Sequence, residues 1–265
     1  MKWPEYNTLR LSLQGNHVLV ISLHRPEVLN AINTQMGRDL LDLWSRLTSD
    51  PQEVRCVVLT GAGDRSFCAG GDLKERQGMI NETWRQQHEI FERAFFQLLE
   101  VPVPVIAAVN GHAYGGGLET ALACDFIYAS DRARLALTEV RLGIMPGGGG
   151  TQTLARAVGE RRAKELIMRA QAFSAHQAAQ WGLVNQVCEH GQVLSEALVC
   201  AQDMAANGPL AVIQAKKSIH HGLQTDLHTA CRFEIEAYNR LVVSEDRLEG
   251  VRAFNEKRPP EFKGK

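Results

Sequence analysis

The chain lacks an excess of charge of either sign. Its 265 residues include 29 lysines and arginines against 30 aspartates and glutamates, which leaves a net charge of -1. Proteins that bind a nucleic-acid backbone draw their affinity from clustered Lys and Arg. The balance of charge therefore argues against a nucleic-acid partner.

Long apolar runs and paired cysteines are also missing. The sequence has no stretch of about 18 apolar residues, and its N-terminal segment MKWPEYNTLRLSLQG has no apolar region typical of a signal peptide. The six cysteines include no CxxC pair, and most lie in apolar segments such as VRCVVL. We therefore expect reduced core thiols, a cytoplasmic location, no membrane span and no metal site.

Two nucleotide-binding motifs are absent as well. The glycine-rich segments SFCAGGDLKER (66–76) and NGHAYGGGLETALACD (110–125) do not match GxGxxG, and the chain has no GxxxxGK[ST]. These two patterns mark dinucleotide sites and P-loops. We therefore predict neither kind of nucleotide site.

The first 150 residues alternate strand and helix patterns. LRLSL and HVLVISL flank a turn at 14–16 and predict an antiparallel hairpin. Asn33 is a candidate N-cap, residues 84–99 form a candidate amphipathic helix, and VRCVVLTG, PVIAAVNG and DFIYAS are typical of buried strands. This alternation predicts an α/β fold with a largely parallel core.

After about residue 150 the strand patterns nearly vanish. Helices are predicted there instead, one of them with Ser174 as its N-cap, and no low-complexity linker separates the two parts. We therefore predict an α/β core at 1–195 and a helical extension at 196–265 within the same structural unit. The amphipathic helices of the extension indicate a subunit interface.

Both glycine-rich segments follow predicted strands, near the carboxyl ends where open α/β folds place their ligands. Glycine lets a backbone N–H approach a ligand oxygen without an intervening Cβ, and the first N–H groups of a helix are unpaired. Two such donors that converge on one oxygen would form an oxyanion hole. Turns and close packing are the alternative explanation for these glycines.

Two glutamates accompany the glycine segments. Glu119 lies three residues after Gly116, on the same face of the expected helix, and a lone carboxylate is costly to bury unless it is partnered or functional. Glu139 precedes a run of four glycines. Taken singly, Glu119 could be a first-turn acid stabilised by the helix dipole and Glu139 an ordinary surface residue. Their occurrence together favours a catalytic pair.

Six stretches together resemble the enoyl-CoA hydratase/isomerase (crotonase) superfamily over essentially the whole chain. They are HRPEVLNAIN (24–33), SFCAGGDLKE, PVIAAVNGHAYGGGLETALACD, LTEVRLGIMPGGGGTQ, AAQWGLVNQV and DRLEGVRAFNEKRPPEFKGK. The resemblance implies a core of ββα repeats that form a spiral, with a C-terminal helical extension used in oligomerisation as a trimer or a dimer of trimers. Within the superfamily the chain is most similar to the enoyl-CoA hydratase and methylglutaconyl-CoA hydratase branch.

The resemblance also implies a reaction. The N–H groups of Gly71 and Gly116 would hold the thioester oxygen of an acyl-CoA. Glu119 and Glu139 match the two glutamates of true hydratases, which hold one water against the substrate double bond and complete a syn addition. No separate cofactor is expected, since coenzyme A is part of the substrate.

A substrate-binding set follows from the same resemblance. Its members are expected along the arm at 24–33, in the AGGDLK segment, at the oxyanion hole and in the tail. The tail residues would contact the substrate across a subunit boundary. They are Arg25, Leu29, Ala31, Ala69, Gly71, Asp72, Leu73, Lys74, Gly116, Phe262 and Lys263. Arg25 could equally be a surface charge and Leu29 a core residue.

Several alternatives stay open. One is hydration of methylglutaconyl-CoA specifically, for which Arg76 or Arg141 could supply a cation in the acyl pocket. Another is double-bond isomerisation, which needs only one glutamate. Some methylglutaconyl-CoA hydratases are described as binding RNA through a basic helix, but the corresponding helix here, TQMGRDLLDLWSRLTSD, carries two arginines against three aspartates, which disfavours RNA.

Overall fold

A computed structural model describes residues 3–265 of the chain. In chain order its strands are β1 (Leu9–Gln14), β2 (Val18–Leu23), β3 (Cys56–Gly61), β4 (Ser66–Cys68), β5 (Val105–Val109), β6 (His112–Tyr114), β7 (Phe126–Ser130), β8 (Arg134–Ala136), β9 (Phe173–Ser174) and β10 (Gln186–Cys188). The helices are α1 (Thr34–Ser49), α2 (Leu73–Arg76), α3 (Asn81–Leu99), α4 (Gly116–Ala123), α5 (Gly150–Val158), α6 (Glu160–Arg169), α7 (Ala175–Gln180), α8 (Val193–Ala205), α9 (Pro209–Gly222), α10 (Leu227–Val242) and α11 (Glu245–Glu256).

The strands form two sheets. The larger has the order β1-β2-β3-β5-β7-β10, and the smaller has the order β4-β6-β8-β9. Only β1 runs antiparallel to its neighbour in the larger sheet, where it forms the predicted hairpin with β2. Each of the pairs β3-β4, β5-β6 and β7-β8 places its first strand in the larger sheet and its second in the smaller, and a helix follows. This is the ββα repeat that the family resemblance implies.

Helices cover both faces of the larger sheet, which explains why its strands read as continuous apolar runs. On one face Leu19 and Ile21 join the main core with α1, whereas on the other Val18 and Val20 pack against α8. All six residues of β3 are buried.

Capping residues recognised in the sequence mark where two helices begin. The Met36 N–H donates to Asn33 Oδ1 at 2.9 Å, which confirms Asn33 as the N-cap of α1. The Gln177 N–H donates to Ser174 Oγ at 3.2 Å within a capping box, which confirms Ser174 as the N-cap of α7.

Four elements of the C-terminal half, α5, β9, β10 and α8, were not predicted from the sequence. β10 was missed, although it pairs in parallel with β7 at the edge of the larger sheet; at three residues it is too short for a clear period of two. α8 was also missed, and it crosses the proposed boundary at 195/196. The division into core and extension stays a prediction.

The cysteines follow the expected burial only in part. Cys56, Cys68, Cys124 and Cys188 are buried, but Cys200 is half-buried and Cys231 is exposed on α10. Within residues 3–265, no helix is long and apolar enough to cross a membrane.

Candidate active site

A cavity of about 640 Å³ lies against α1, α3, α4 and the loop that precedes α2. Its deep apolar wall comes from α1 and α3, with Leu40, Trp44, Phe91, Phe95 and Leu98 among the lining residues. Four residues that the sequence singled out also line this cavity: Gly71, Gly116, Glu119 and Glu139.

The smaller sheet explains this convergence. β4, β6 and β8 are neighbours and run parallel, so their carboxyl ends meet at one edge. The segment after β4 carries Gly71, the segment after β6 carries Gly116 and Glu119, and the segment after β8 carries Glu139. Three successive repeats thus contribute to one site, as expected at the carboxyl edge of parallel strands.

Two backbone N–H groups face the cavity. Ile32 donates its N–H to Gly70 O at 2.8 Å and accepts the Asp72 N–H at 2.9 Å. Gly71 lies between Gly70 and Asp72, the two residues that bond to Ile32. In a parallel bridge of this kind the residue in between points its own N–H away from the bonded segment, here away from Ile32. Gly116 is the first residue of α4, where an N–H has no partner within the helix. Among residues 3–265, neither N–H donates a backbone hydrogen bond outside the regular elements.

Glycine is required at two positions beside these donors, Gly117 and Gly70. A Cβ on Gly116 would lie 3.9 Å from Gly71 N, so the two donor segments are in near contact. A Cβ on the next residue, Gly117, would overlap the carbonyl of Cys68. Gly70 has a φ of +92°, which L side chains rarely adopt. The backbone segments of Gly71 and Gly116 therefore lie close together at the cavity.

Glu119 is held by the glycine run 147–150. Its side chain is only 6% exposed, and its Oε1 accepts the N–H groups of Gly148 at 2.8 Å and Gly150 at 2.9 Å. Burial raises the pKa of Glu119 to about 7, and the charge of Glu139 adds to the rise, while the two glycine amides oppose it. The carboxyl is therefore suited to gain or lose a proton near neutral pH.

Glu139 begins a 3-10 turn (Glu139–Leu142) after β8. A Cβ on Gly115 would lie 3.0 Å from Glu139 Oε1, so this carboxyl sits beside the start of α4. Its Oε2 is buried and, among the described residues, has no hydrogen-bond partner. Burial raises the pKa of Glu139, opposed by nearby backbone amides. A buried carboxylate oxygen without a partner is costly unless a ligand or water supplies one.

The predicted substrate-binding set divides in two. Ala69, Gly71, Leu73 and Gly116 line the cavity, whereas Arg25, Leu29, Ala31, Asp72, Lys74, Phe262 and Lys263 do not.

Arg25 and Asp72 form an ion pair with each other at 2.9 Å. Arg25 Nη1 also donates to Ala31 O at 2.6 Å, and Asp72 caps α2 by accepting the N–H groups of Lys74 and Glu75. Both side chains thereby fix the loop that carries Gly71. Lys74 is exposed on α2, directly after Leu73 at the cavity.

The tail lies against its own chain. Arg55 Nη2 donates to Phe262 O at 2.7 Å, and buried Asp246 accepts the Lys263 N–H at 2.6 Å. The predicted contact of this tail with substrate across a subunit boundary stays a prediction.

Some residues at the site were not predicted from the sequence. The amides of Gly148 and Gly150, which hold Glu119, lie in the run of four glycines that was the available signal. Of the two arginines considered for the acyl pocket, Arg76 lines the cavity, whereas Arg141 is exposed and lies outside it. The residues that contact Arg76 lie on α3, and no sequence motif indicated that they would meet it.

Comparisons with known proteins identify the family of the chain. A family model described as enoyl-CoA hydratase/isomerase matches residues 14–265. The short-chain-enoyl-CoA hydratase of Clostridium acetobutylicum is 41% identical over 96% of this chain and 97% of its own length. The mitochondrial methylglutaconyl-CoA hydratase of Mus musculus is 37% identical over 98% of this chain and 84% of its own length.

A solved structure is similar as well. The crystal structure of an enoyl-CoA hydratase from Bacillus anthracis has a TM-score of 0.95 and 42% sequence identity, and the match covers 98% of this chain and 100% of that one. The agreement in sequence and in fold extends over nearly the full length. The chain therefore belongs to the enoyl-CoA hydratase/isomerase family.

Proposed function

We propose that this protein adds water to the double bond of a 2-enoyl-CoA thioester, or catalyses the reverse dehydration. The observation that carries the proposal is one cavity with two unpaired glycine N–H groups and two glutamates of raised pKa, the buried Glu119 and the half-buried Glu139. Each of these groups lacks something that the reaction supplies: an oxygen acceptor for the amides and a water or proton for the carboxyls.

The Gly71 and Gly116 N–H groups would donate to the thioester oxygen. As water attacks Cβ, negative charge develops on that oxygen in an enolate-like state. Donors already aimed at the oxygen stabilise this charge without reorganising. The polarised thioester also withdraws electron density from Cβ, which makes that carbon the site of attack.

The two glutamates would handle the protons. One carboxylate removes a proton from the water as its oxygen bonds to Cβ, and the other carboxyl delivers a proton to Cα on the same face, which gives syn addition. The unpartnered Glu139 Oε2 offers the water an acceptor. Glu119 Oε2 offers the water a second acceptor, because both glycine amides donate to Oε1 and leave Oε2 free of them.

Kinetics of Glu119→Gln and Glu139→Gln test the pair. Each substitution keeps the shape of the side chain and removes the acid/base function, so hydration of crotonyl-CoA should fall by about 100-fold or more. The double variant should lose far less than the product of the single losses, because residues that act as one unit are non-additive. A single variant with near-parent turnover would reject the two-glutamate mechanism and favour isomerisation, which needs one glutamate.

Gly116→Pro tests the oxyanion donor separately. Proline suits the first position of a helix and removes the N–H, so kcat should fall by about 100-fold or more. Gly116→Ala is the matched control, since it keeps the N–H and its Cβ would meet no atom closer than 3.7 Å. Equal kcat values for folded Pro and Ala variants would reject this role for Gly116.

The residues proposed for coenzyme A are Arg25, Leu29, Ala31, Asp72 and Lys74. Their positions support two different roles, one in holding the loop and one in binding a phosphate. The Arg25–Asp72 ion pair would stiffen the loop beside the thioester, while the exposed Lys74 would be free to reach a phosphate.

We also propose self-association through the C-terminal helices. α9, α10, α11 and the segments between them expose large apolar side chains, among them Leu223 (80% exposed), Leu227 (80%), Val243 (85%) and Phe254 (83%). Such a concentration of exposed apolar surface is typical of an interface. A trimer or a dimer of trimers is the assembly that the family resemblance implies.

A further inference from the structure

The wall of the cavity beside Gly71 contains a charged group that the hydration mechanism does not use. Arg76 is the last residue of α2, and its guanidinium lines the cavity. Burial lowers its pKa, although the charge of the neighbouring Glu75 opposes this. Arginine nevertheless stays protonated in proteins, so the cavity holds a partly desolvated positive charge.

Arg76 is held firmly but is left largely unpaired. Its Nε donates to Gln87 Oε1 at 2.8 Å, and Gln87 is only 3% exposed. Its guanidinium stacks on the Trp84 ring, 4.4 Å from the ring centroid, and lies 5.6 Å from that of Phe91. These contacts fix the plane of the group and account for one of its five N–H donors.

The neighbouring Glu75 forms no ion pair with Arg76. Glu75 Oε2 accepts the Thr34 N–H and Gln87 Nε2, both at 2.8 Å, and so ties α2 to α1 and α3 instead. The ion pairs within residues 3–265 leave Arg76 out. An oriented guanidinium with free Nη donors has the geometry that binds a carboxylate in a bidentate manner.

The position of Arg76 limits what the anion can be. A Cβ on Gly71 would lie 3.3 Å from Arg76 Nη1. Standard backbone geometry puts that Cβ position about 2.5 Å from the Gly71 nitrogen, so Nη1 lies within about 6 Å of the proposed oxyanion donor. The phosphates of coenzyme A are separated from the thioester by the whole pantetheine arm. An anion at Arg76 must therefore belong to the acyl group.

We infer that Arg76 is a specificity-determining residue that binds a carboxylate on the acyl chain, so that the preferred substrate is a short 2-enoyl-CoA with a second, free carboxylate. This inference rests on the proposed hydration. Four glutamates line the same cavity, Glu89, Glu92, Glu119 and Glu139, and their charges would repel a second carboxylate. Arg85 also lines it, but its side chain is 77% exposed and lies 4.0 Å from Glu82, so Arg76 is the partly buried cation beside Gly71. Arg76 removes that obstacle and orients the chain through two parallel hydrogen bonds.

A matched pair of substrates isolates this charge. Glutaconyl-CoA carries a free carboxylate beyond the double bond, and its methyl ester has nearly the same shape without the charge. The parent protein should have the higher kcat/KM on the free acid. In Arg76→Gln the ratio of the two kcat/KM values should fall on the order of 10- to 100-fold, the range for a charged hydrogen bond, and Arg76→Lys should restore part of it.

Arg93→Gln is the control variant, because Arg93 is an exposed arginine on α3 outside the cavity. It should leave the ratio unchanged. A purely structural role for Arg76 would lower kcat/KM on both substrates equally, since neither packing nor folding distinguishes an acid from its ester. An unchanged ratio in a folded Arg76→Gln variant would therefore overturn the inference.

Binding of glutaryl-CoA and its methyl ester, measured by calorimetry, separates the two proposals, because these saturated thioesters cannot be hydrated. If the parent hydrates no enoyl-CoA yet binds glutaryl-CoA more tightly than the ester only when Arg76 is present, the proposed function fails and the Arg76 site stands. If the parent hydrates crotonyl-CoA but binds acid and ester equally, the Arg76 site fails and the proposed function stands.

Discussion

Replacing Glu119 by glutamine should make the protein more stable at alkaline pH and leave its stability nearly unchanged at acid pH. Burial makes the ionised carboxyl unfavourable in the folded protein. Glutamine has a similar shape and can still accept the Gly148 and Gly150 N–H groups, but it carries no charge. The substitution therefore removes an energetic cost that exists only where Glu119 is ionised.

The size and sign of the effect follow from the pKa. The pKa of Glu119 rises from its ordinary value of 4.5 to about 7, and each unit corresponds to about 1.4 kcal/mol. Because the value is raised on folding, the folded state is favoured most below about pH 4.5, and that advantage is lost as the pH rises through about 7. At about pH 8.5 the ionised carboxyl should lower the free energy of unfolding by about 3 kcal/mol.

Thermal unfolding of parent and variant at about pH 4 and about pH 8.5 measures this. For a chain of this size, about 3 kcal/mol corresponds to a Tm difference of roughly 5 to 10 °C, present at the higher pH and nearly absent at the lower. Glu53→Gln is the control, since Glu53 is exposed and its carboxylate makes no hydrogen bond within residues 3–265; it should show no such pH dependence. A Glu119→Gln variant that gains nothing at the higher pH would refute the argument that burial opposes ionisation.

Three further predictions concern the parts around the site. Gly149→Ala should lower both Tm and kcat, because Gly149 has a φ of +84° and its Cβ would overlap the Phe95 ring, which displaces the amides that bind Glu119; an active variant of parent stability would contradict this. Asp246→Ala should lower the free energy of unfolding by about 1 to 3 kcal/mol and speed hydrogen exchange at Lys263 and Gly264, whose N–H groups Asp246 accepts; unchanged exchange would show that another group holds the tail. Sedimentation at micromolar concentration should give a species larger than one chain, and a monomer would reject the proposed role of the apolar surface on α9–α11.

The sequence predicted those features of the fold and site whose interacting residues lie close together along the chain. Asn33 and Ser174 cap helices that begin with the next residue, and the hairpin of β1 and β2 follows from its turn. Gly116 and Glu119 share one helix turn, so their common face could be read from their spacing alone.

The parts that the sequence did not predict depend on contacts between distant segments. Gln87 and Trp84 position Arg76 from α3, and nothing in the spacing of these residues shows that they meet at a cavity. Likewise, Asp246 looks like an ordinary first-turn acid of α11 until the tail is seen to fold back on it. Such pairings are fixed by tertiary packing, which has no period along the chain.

The ββα repeat explains why so many unsatisfied polar groups collect in one place. Each repeat ends a short strand at the same edge of the smaller sheet, and the segments that follow supply Gly71, Gly116 and Glu139 in turn. Elsewhere a buried group without a partner would simply destabilise the fold. At this edge, under the proposed mechanism, one thioester and one water would satisfy the two amides and the Glu139 carboxyl together, and a charged acyl chain would satisfy Arg76. The proposed mechanism divides the chemistry among separate loops, so a change in the loop after β8 should alter proton transfer while the proposed donors to the thioester oxygen stay in place.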